Sequence, residues 1–158
     1  MIRNTTRNQK LGWVLFLAYL ALLVYFLFFA ESFGRVSENR DYAYNLELFK
    51  EIRRFYTYRE QLGMKAFLLN VFGNVVAFTP CGFLLPIVSR RGRKWYNAIL
   101  LCFSLSLCVE TVQLIWKVGS FDVDDLFLNT LGGGLGYVMN RIVQHFRIRR
   151  RRRGKRTP

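Results

Sequence analysis

Histidine occurs once in the 158 residues, as His145, and it sits among basic residues. One imidazole excludes any metal site or catalytic relay built on paired histidines, and His145 is given no role. Cysteine is almost as scarce. Cys81, Cys102 and Cys108 each lie inside an apolar block, with no C-x-x-C spacing. They read as buried small side chains, not as metal ligands or a disulfide framework. Acidic residues number only 10 against 24 bases, a formal net charge of +14. The chain has no glycine-rich phosphate loop, no G-x-S-x-G, no H-E-x-x-H and no internal repeat. Also missing is the period of 2 or 3.6 by which a water-soluble domain scatters its apolar residues.

Those apolar residues, 52% of the chain, come instead in blocks. Residues 11–30 (LGWVLFLAYLALLVYFLFFA) contain no charge, about the length an α-helix needs to cross ~30 Å of hydrocarbon. Residues 66–88 form a second uncharged block, and 95–116 a third, interrupted by Glu110 and Gln113. The fourth, from Leu126 to about Met139, is short; its span is taken to run over 126–146. The first block follows Arg3, Arg7 and Lys10 but exceeds the ~7–15 residues of a signal-peptide core, and bulky Phe28 would stand at −3 of a cut after Ala30. It reads as an uncleaved span. The expected fold is therefore an all-α integral membrane protein, a four-transmembrane-helix bundle.

Basic residues orient the bundle. The N-terminal segment 1–10 carries three and no acid, the loop 89–94 (SRRGRK) four and no acid, and the tail from Arg141 nine and no acid. Residues 31–65 balance seven bases with six acids, and 117–125 set one base against three acids. The alternation puts both termini in the cytoplasm and two segments outside. The polybasic tail 147–158 resembles a nucleic-acid patch, but below a membrane it fixes topology and holds anionic lipid of the inner leaflet. No nucleic-acid partner is expected. In the outer segment 31–65, Leu48, Phe49, Ile52, Phe55 and Tyr56 recur at helical spacing with Lys50, Glu51, Arg53 and Arg54 opposite. This predicts an interfacial amphipathic helix between spans one and two, lying on the outer surface or capping the bundle.

The stretch SFDVDDLFLNTLGGGLGYVMNR, residues 120–141, sets three aspartates against an apolar run too short to span a bilayer. Counting back the ~20 residues that a membrane crossing demands from a cytoplasmic end at Arg141 arrives at about Phe121. Asp122, Asp124 and Asp125 then lie at or just below the outer boundary. Glu110 sits roughly 22 Å up the third span, with Gln113 above it on the same face. Asn70 and Asn74 lie about 6 and 12 Å down the second span, also on one face. Asn129 falls one turn below Asp125. Three segments thus bring polar residues into one slab in the outer half of the membrane, where unpaired acids are costly and turn toward the bundle or a wet cavity. Each also has a structural reading. Glu110 can be a protonated helix-bridging group, Asp122 an N-cap with Asp125 near N3, and Asn70 and Asn74 interhelical hydrogen bonds. Gly132 and Gly136 form a G-x-x-x-G packing surface, and Pro80 interrupts the second span.

NVFGNVVAFTPCGFLLP (70–86), SLCVETVQL (106–114) and FDVDDLFLNTLGGGLGY (121–137) together resemble the VanZ-like family of small membrane proteins, over roughly residues 42–140. The family shows N-x-x-G-N…F-x-P-x-G-F, E-x-x-Q and D-x-D-D-x-x-x-N-T-x-G in this order. Asn45-Leu46…Phe49 is a fourth match, departing from the family by Leu48 in place of a common proline. Gly119 departs too, where a base often precedes the aspartates; Lys117 is the nearest substitute. The resemblance implies a cell-envelope process, since the family is named for a protein associated with resistance to the glycopeptide teicoplanin. Three functions stay open. The first is binding or handling of a lipid-linked cell-wall precursor, or of the glycopeptide, at an outer-leaflet pocket of Asn70, Asn74, Gln113, Asp122, Asp124 and Asn129. The second is an intramembrane hydrolase or transferase with Glu110 and Asp125 as acid and base. The third is a passive scaffold. No cofactor is expected beyond a divalent cation at the Asp cluster.

The charge alternation is tested by single cysteines placed in a cysteine-free background. Those at Ser37 and Ser120 should react with an impermeant thiol reagent in intact cells, and those at Ser89 and Thr157 should not. Labelling at Ser89 would invert the topology.

Overall fold

A computed structural model describes residues 7–26, 42–117 and 119–153. The far end of the first expected span, the first part of the outer segment and the last five tail residues lie outside them. The described chain is helical: α1 (Arg7–Tyr25), α2 (Lys50–Thr57), α3 (Arg59–Leu62), α4 (Met64–Val88), α5 (Trp95–Ile115) and α6 (Val123–Arg153), with a 3-10 turn at Arg91–Arg93 between α4 and α5. Two residues each of β1 (Tyr44–Asn45) and β2 (Phe121–Asp122) pair in parallel, Tyr44 beside Phe121 and Asn45 beside Asp122. Among the described residues two segments, Phe67–Val88 and Trp95–Ile115, are long and apolar enough to cross a membrane; Gln9–Tyr25 is apolar but shorter. The last helix is longer than the expected fourth span, starting at Val123 and carrying the basic tail in helical form through Arg153.

Central to the packing is α4, which touches α1, α5 and α6. One core gathers Phe16 of α1, Cys81, Leu84, Leu85 and Val88 of α4, and Ala98 and Cys102 of α5. Between α4 and α6 the backbones themselves meet. A Cβ on Gly82 would overlap the carbonyl of Gly133, one on Gly132 that of Val75, and one on Gly136 that of Thr79. Small residues at this spacing are how helices approach closely where no hydrophobic drive separates lipid from protein.

The exterior is inverted relative to a water-soluble bundle. Leu69, Val76, Leu100, Leu135 and Ile142 are exposed, while Ser106, Glu110, Gln113, Asp122, Asp124, Asn129 and Asn140 are buried. That distribution, with apolar helices all round, is a membrane protein's.

Two prolines, Pro80 and Pro86, lie inside α4. A helical proline lacks its N–H and pushes on the carbonyls one turn back, leaving acceptors that need a donor. Neighbouring helices place a donor on the next carbonyl along at each. Tyr19 of α1 donates its hydroxyl to the carbonyl of Ala77, three residues before Pro80, at 2.9 Å. Asn140 of α6 donates its amide to the carbonyl of Phe83, three residues before Pro86, at 2.8 Å. These two hydrogen bonds key α1 and α6 to α4 beside its prolines.

The glycine contacts give a contrast within one helix pair. Gly136→Ala forces α6 off the Thr79 carbonyl and should destabilise the bundle by about 1–3 kcal/mol. Gly73→Ala meets nothing within 4 Å and should be neutral or stabilising by up to ~1 kcal/mol. Thermal unfolding of the purified variants in detergent reads the difference.

Candidate functional site

Of the ten acids in the chain, six lie in residues 31–65; the other four are Glu110, Asp122, Asp124 and Asp125. The fold brings those four to one end of the bundle, where α4 and α6 begin and α5 ends. The β1–β2 pairing does the local work, drawing the segment before α2 beside the start of α6, with the Phe121 N–H donating to the Ala43 carbonyl at 3.1 Å.

Asn45 sets the turn that follows. Its carbonyl oxygen accepts the Glu47 N–H at 3.2 Å, the local hydrogen bond of an Asx turn. Its amide nitrogen donates to Asp122 Oδ1 at 3.1 Å. The chain then reaches Phe49, which takes a left-handed conformation (φ 67°, ψ 12°) and stands as N-cap of α2 with no capping side chain of its own. A bulky residue rarely adopts positive φ without compensation. Here the compensation comes from a distant residue. Asp124, wholly buried, accepts the N–H of Phe49 on Oδ1 and those of Glu51 and Ile52 on Oδ2, the latter two at 2.9 and 3.1 Å. A carboxylate facing the open N–H groups of a helix N-terminus is favoured by hydrogen bonding and by the helix dipole. The Phe49 ring meets Phe127 edge-on, with centroids 5.5 Å apart. α2 is thereby tied to the first turn of α6.

Asp122 caps α6, its Oδ1 accepting the Asp124 N–H at 2.8 Å. Its own N–H donates to Glu110 Oε2 at 3.1 Å, linking α5 to the same corner. Burial raises the Asp122 carboxyl above its ordinary range, opposed by the hydrogen bonds from Asp124 and Asn45 and assisted by the neighbouring Asp124 and Glu51 charges. Glu110 and Gln113, one turn apart on α5, are both buried. Asp125 faces the other way and accepts a hydrogen bond from the Asn74 amide of α4. It is the one acid of the four that stays half-exposed.

The sequence-predicted residues therefore separate into two groups. Glu110, Asp122 and Asp124 join one buried network that also enlists Asn45 and the N-terminus of α2. Asp125 and Asn74 form a partly open edge, with Asn70 one turn away along α4. Asn129 joins neither: it is buried and donates to Ser106 Oγ at 2.9 Å. Among the described residues its Oδ1 has no hydrogen-bond partner, and the same holds for Asn70 Oδ1. Lys117, at positive φ (54°), holds its ammonium 4.6 Å from the Tyr42 ring centroid. Among the described residues no three Asp, Glu, His or Cys side chains converge as a metal site would require. Sequence reasoning missed Ser106, although it shares a face with Glu110 and Gln113 at i, i+4 and i+7. It also missed the backbone amides of α2, for which no side-chain signal exists.

Two aspartates two residues apart should behave oppositely. Asp124→Asn turns an NH₂ toward backbone N–H groups and should cost on the order of 2–4 kcal/mol, with faster amide exchange at Glu51 and Ile52. Asp122→Asn keeps the cap and should cost under ~1 kcal/mol. Because the Asp122 pKa is raised on folding, its favourable contribution is complete below the unfolded carboxylate pKa. It is lost as pH rises through the folded value. In Asp122→Asn that decline of stability with pH should disappear from unfolding curves.

A family model described as VanZ/LLP1 matches residues 16–144. Among curated proteins the chain is similar to Protein VanZ of Enterococcus faecium, 34% identical over 67 residues. That alignment covers 42% of this chain and 41% of the Enterococcus protein, less than half of either. No solved structure matches.

Proposed function

The chain belongs to the VanZ-like family, and from that membership we propose that it binds a lipid-linked cell-envelope precursor at the outer surface of the bacterial cytoplasmic membrane. In this reading α1, α4, α5 and α6 are four spans with both termini in the cytoplasm, so the acidic end faces outward. α2 and α3 lie along the outer interface. Their surroundings suit that level: Tyr42, Tyr44, Leu46, Leu48, Tyr56 and Tyr58 are all exposed, as in the aromatic belt of a membrane interface. α2 also has the strongly two-faced character of a helix lying in the headgroup region.

The observation that carries the proposal is the openness of Asp125. Glu110, Asp122 and Asp124 are closed off by one another and by backbone amides, which makes them the frame. Asp125, with Asn74 beside it and Asn70 above, offers a carboxylate and amide groups suited to hydroxyl and amide donors of a sugar–peptide headgroup. The exposed Arg53 and Lys65 stand in the outer segment for its phosphates. Such binding would change how the precursor is presented outside the membrane, where a glycopeptide such as teicoplanin acts. A binding role also accords with the burial of Glu110, whose Oε2 accepts the Asp122 N–H.

Asp125→Asn keeps size and shape, so membrane abundance should be unchanged. Retention of lipid-linked precursor by the purified protein, read by mass spectrometry after incubation with envelope lipid extract, should weaken about tenfold, the loss of one charge-assisted hydrogen bond. Wild-type retention in that variant would overturn the assignment. Conversion of the precursor to new products, abolished by Glu110→Gln, would replace binding by catalysis.

A further inference from the structure

At the opposite end of the bundle α4 turns into α5 through a corner held more firmly than a six-residue loop requires. Gly92 is buried because the 3-10 turn lies against α4, where a Cβ would meet the Leu85 carbonyl. Both neighbouring helices fasten the turn by its carbonyls. The Asn97 amide donates to Arg91 O at 2.9 Å, and the Tyr137 hydroxyl donates to Arg93 O at 2.7 Å. With its acceptors occupied, the turn directs charge outward. Arg90, Arg91 and Arg93 are exposed, residues 89–94 contain no acid, and among the described residues none of the three guanidiniums is in an ion pair.

Beneath this charge lies a cleft of about 340 Å³, floored by Leu85 and walled by Leu100, Leu101 and Ser104, with Asn97 and Arg91 at its mouth. Leu100 and Leu101 are 62% and 45% exposed, so the cleft opens sideways along the lipid-facing side of α5. From Asn97 to Ser104 it descends roughly 10 Å along the helix. Trp95 and Tyr96, exposed beside the mouth, mark the headgroup level. A soluble anion would find no use for the apolar wall, and a neutral lipid none for the arginines.

We propose that this cleft is a binding site for an anionic phospholipid of the cytoplasmic leaflet. Its phosphate sits on the Arg91 guanidinium, backed by Arg90 and Arg93, and one acyl chain lies against Leu100, Leu101 and Ser104. Guanidinium is the side chain best matched to a phosphate's oxygens. Because two side-chain hydrogen bonds and the Gly92 packing fix the turn beforehand, little ordering is required when the lipid arrives. The site rests on the membrane orientation proposed above and is independent of the precursor site, which lies at the other end of the same helices.

Native mass spectrometry of the full chain in detergent, with phosphatidylglycerol or phosphatidylcholine added, tests it. One phosphatidylglycerol per chain should be retained in preference to phosphatidylcholine. Arg91→Gln should cut retention about fivefold. Leu101→Trp and Ser104→Trp, both at exposed positions and both filling the acyl slot, should remove it with all three arginines intact and unchanged melting. Arg149→Gln, on the basic tail, should leave it unaltered. Equal retention of the two lipids would overturn the proposal, as would an Arg149→Gln effect as large as that of Arg91→Gln, or wild-type retention in both Trp variants.

Discussion

One buried carboxylate, that of Asp124, governs the acidic end of this protein. It accepts three backbone N–H groups from the start of α2, residues that precede it by 72–75 positions. An amphipathic helix of eight residues, none of them buried, is too short to be stable by propensity alone. It stands because its orphan N–H groups meet a negative charge that water does not screen. The left-handed Phe49 is tolerated for the same reason, as its N–H belongs to the same carboxylate. Removing the acceptor would free the helix, the Phe49–Phe127 contact and the β1–β2 pairing together.

The remaining acids build outward from that anchor. Asp122 caps the helix on which Asp124 rides, and Glu110 receives the Asp122 N–H, so α2, α5 and α6 share one corner. Charge buried in this way is expensive unless every partner is present. The arrangement gives each carboxylate at least one donor, and Asp125 stays half-exposed at the margin beside Asn74.

A different constraint operates through the length of the bundle. With lipid on the outside there is no hydrophobic drive between helices, and cohesion has to come from close packing and polar contacts. The glycines of α6 bring its backbone onto that of α4, and Tyr19 and Asn140 donate to α4 carbonyls three residues before its two prolines. At the opposite end Asn97 and Tyr137 donate in the same way to carbonyls of the 3-10 turn. In each case a side chain donates to a backbone carbonyl of a neighbouring element, which fixes register as well as distance.

Much of this was legible in the residues themselves. Hydropathy blocks mark the helices, because burial in lipid acts on whole segments, and the short last apolar run shows that its helix begins with acids. Helical spacing puts Asn70 with Asn74 and Asp125 with Asn129, and Gly132 with Gly136 marks a packing face. The sequence alone also suggests Asp122 as a cap, since that bond is made to a neighbour two residues on. What it could not reveal is that Asp124 caps a different helix, that Asn129 turns to Ser106, or that Asp125 is the carboxylate left half-open. Those outcomes are set by backbone amides and by the rotation of one helix against another. An amide carries no residue-type signature, and helix rotation is a property of the packed bundle. Tertiary structure therefore decided which acids form the frame and which stays half-exposed, while sequence determined only that four acids would gather at one end of the bundle.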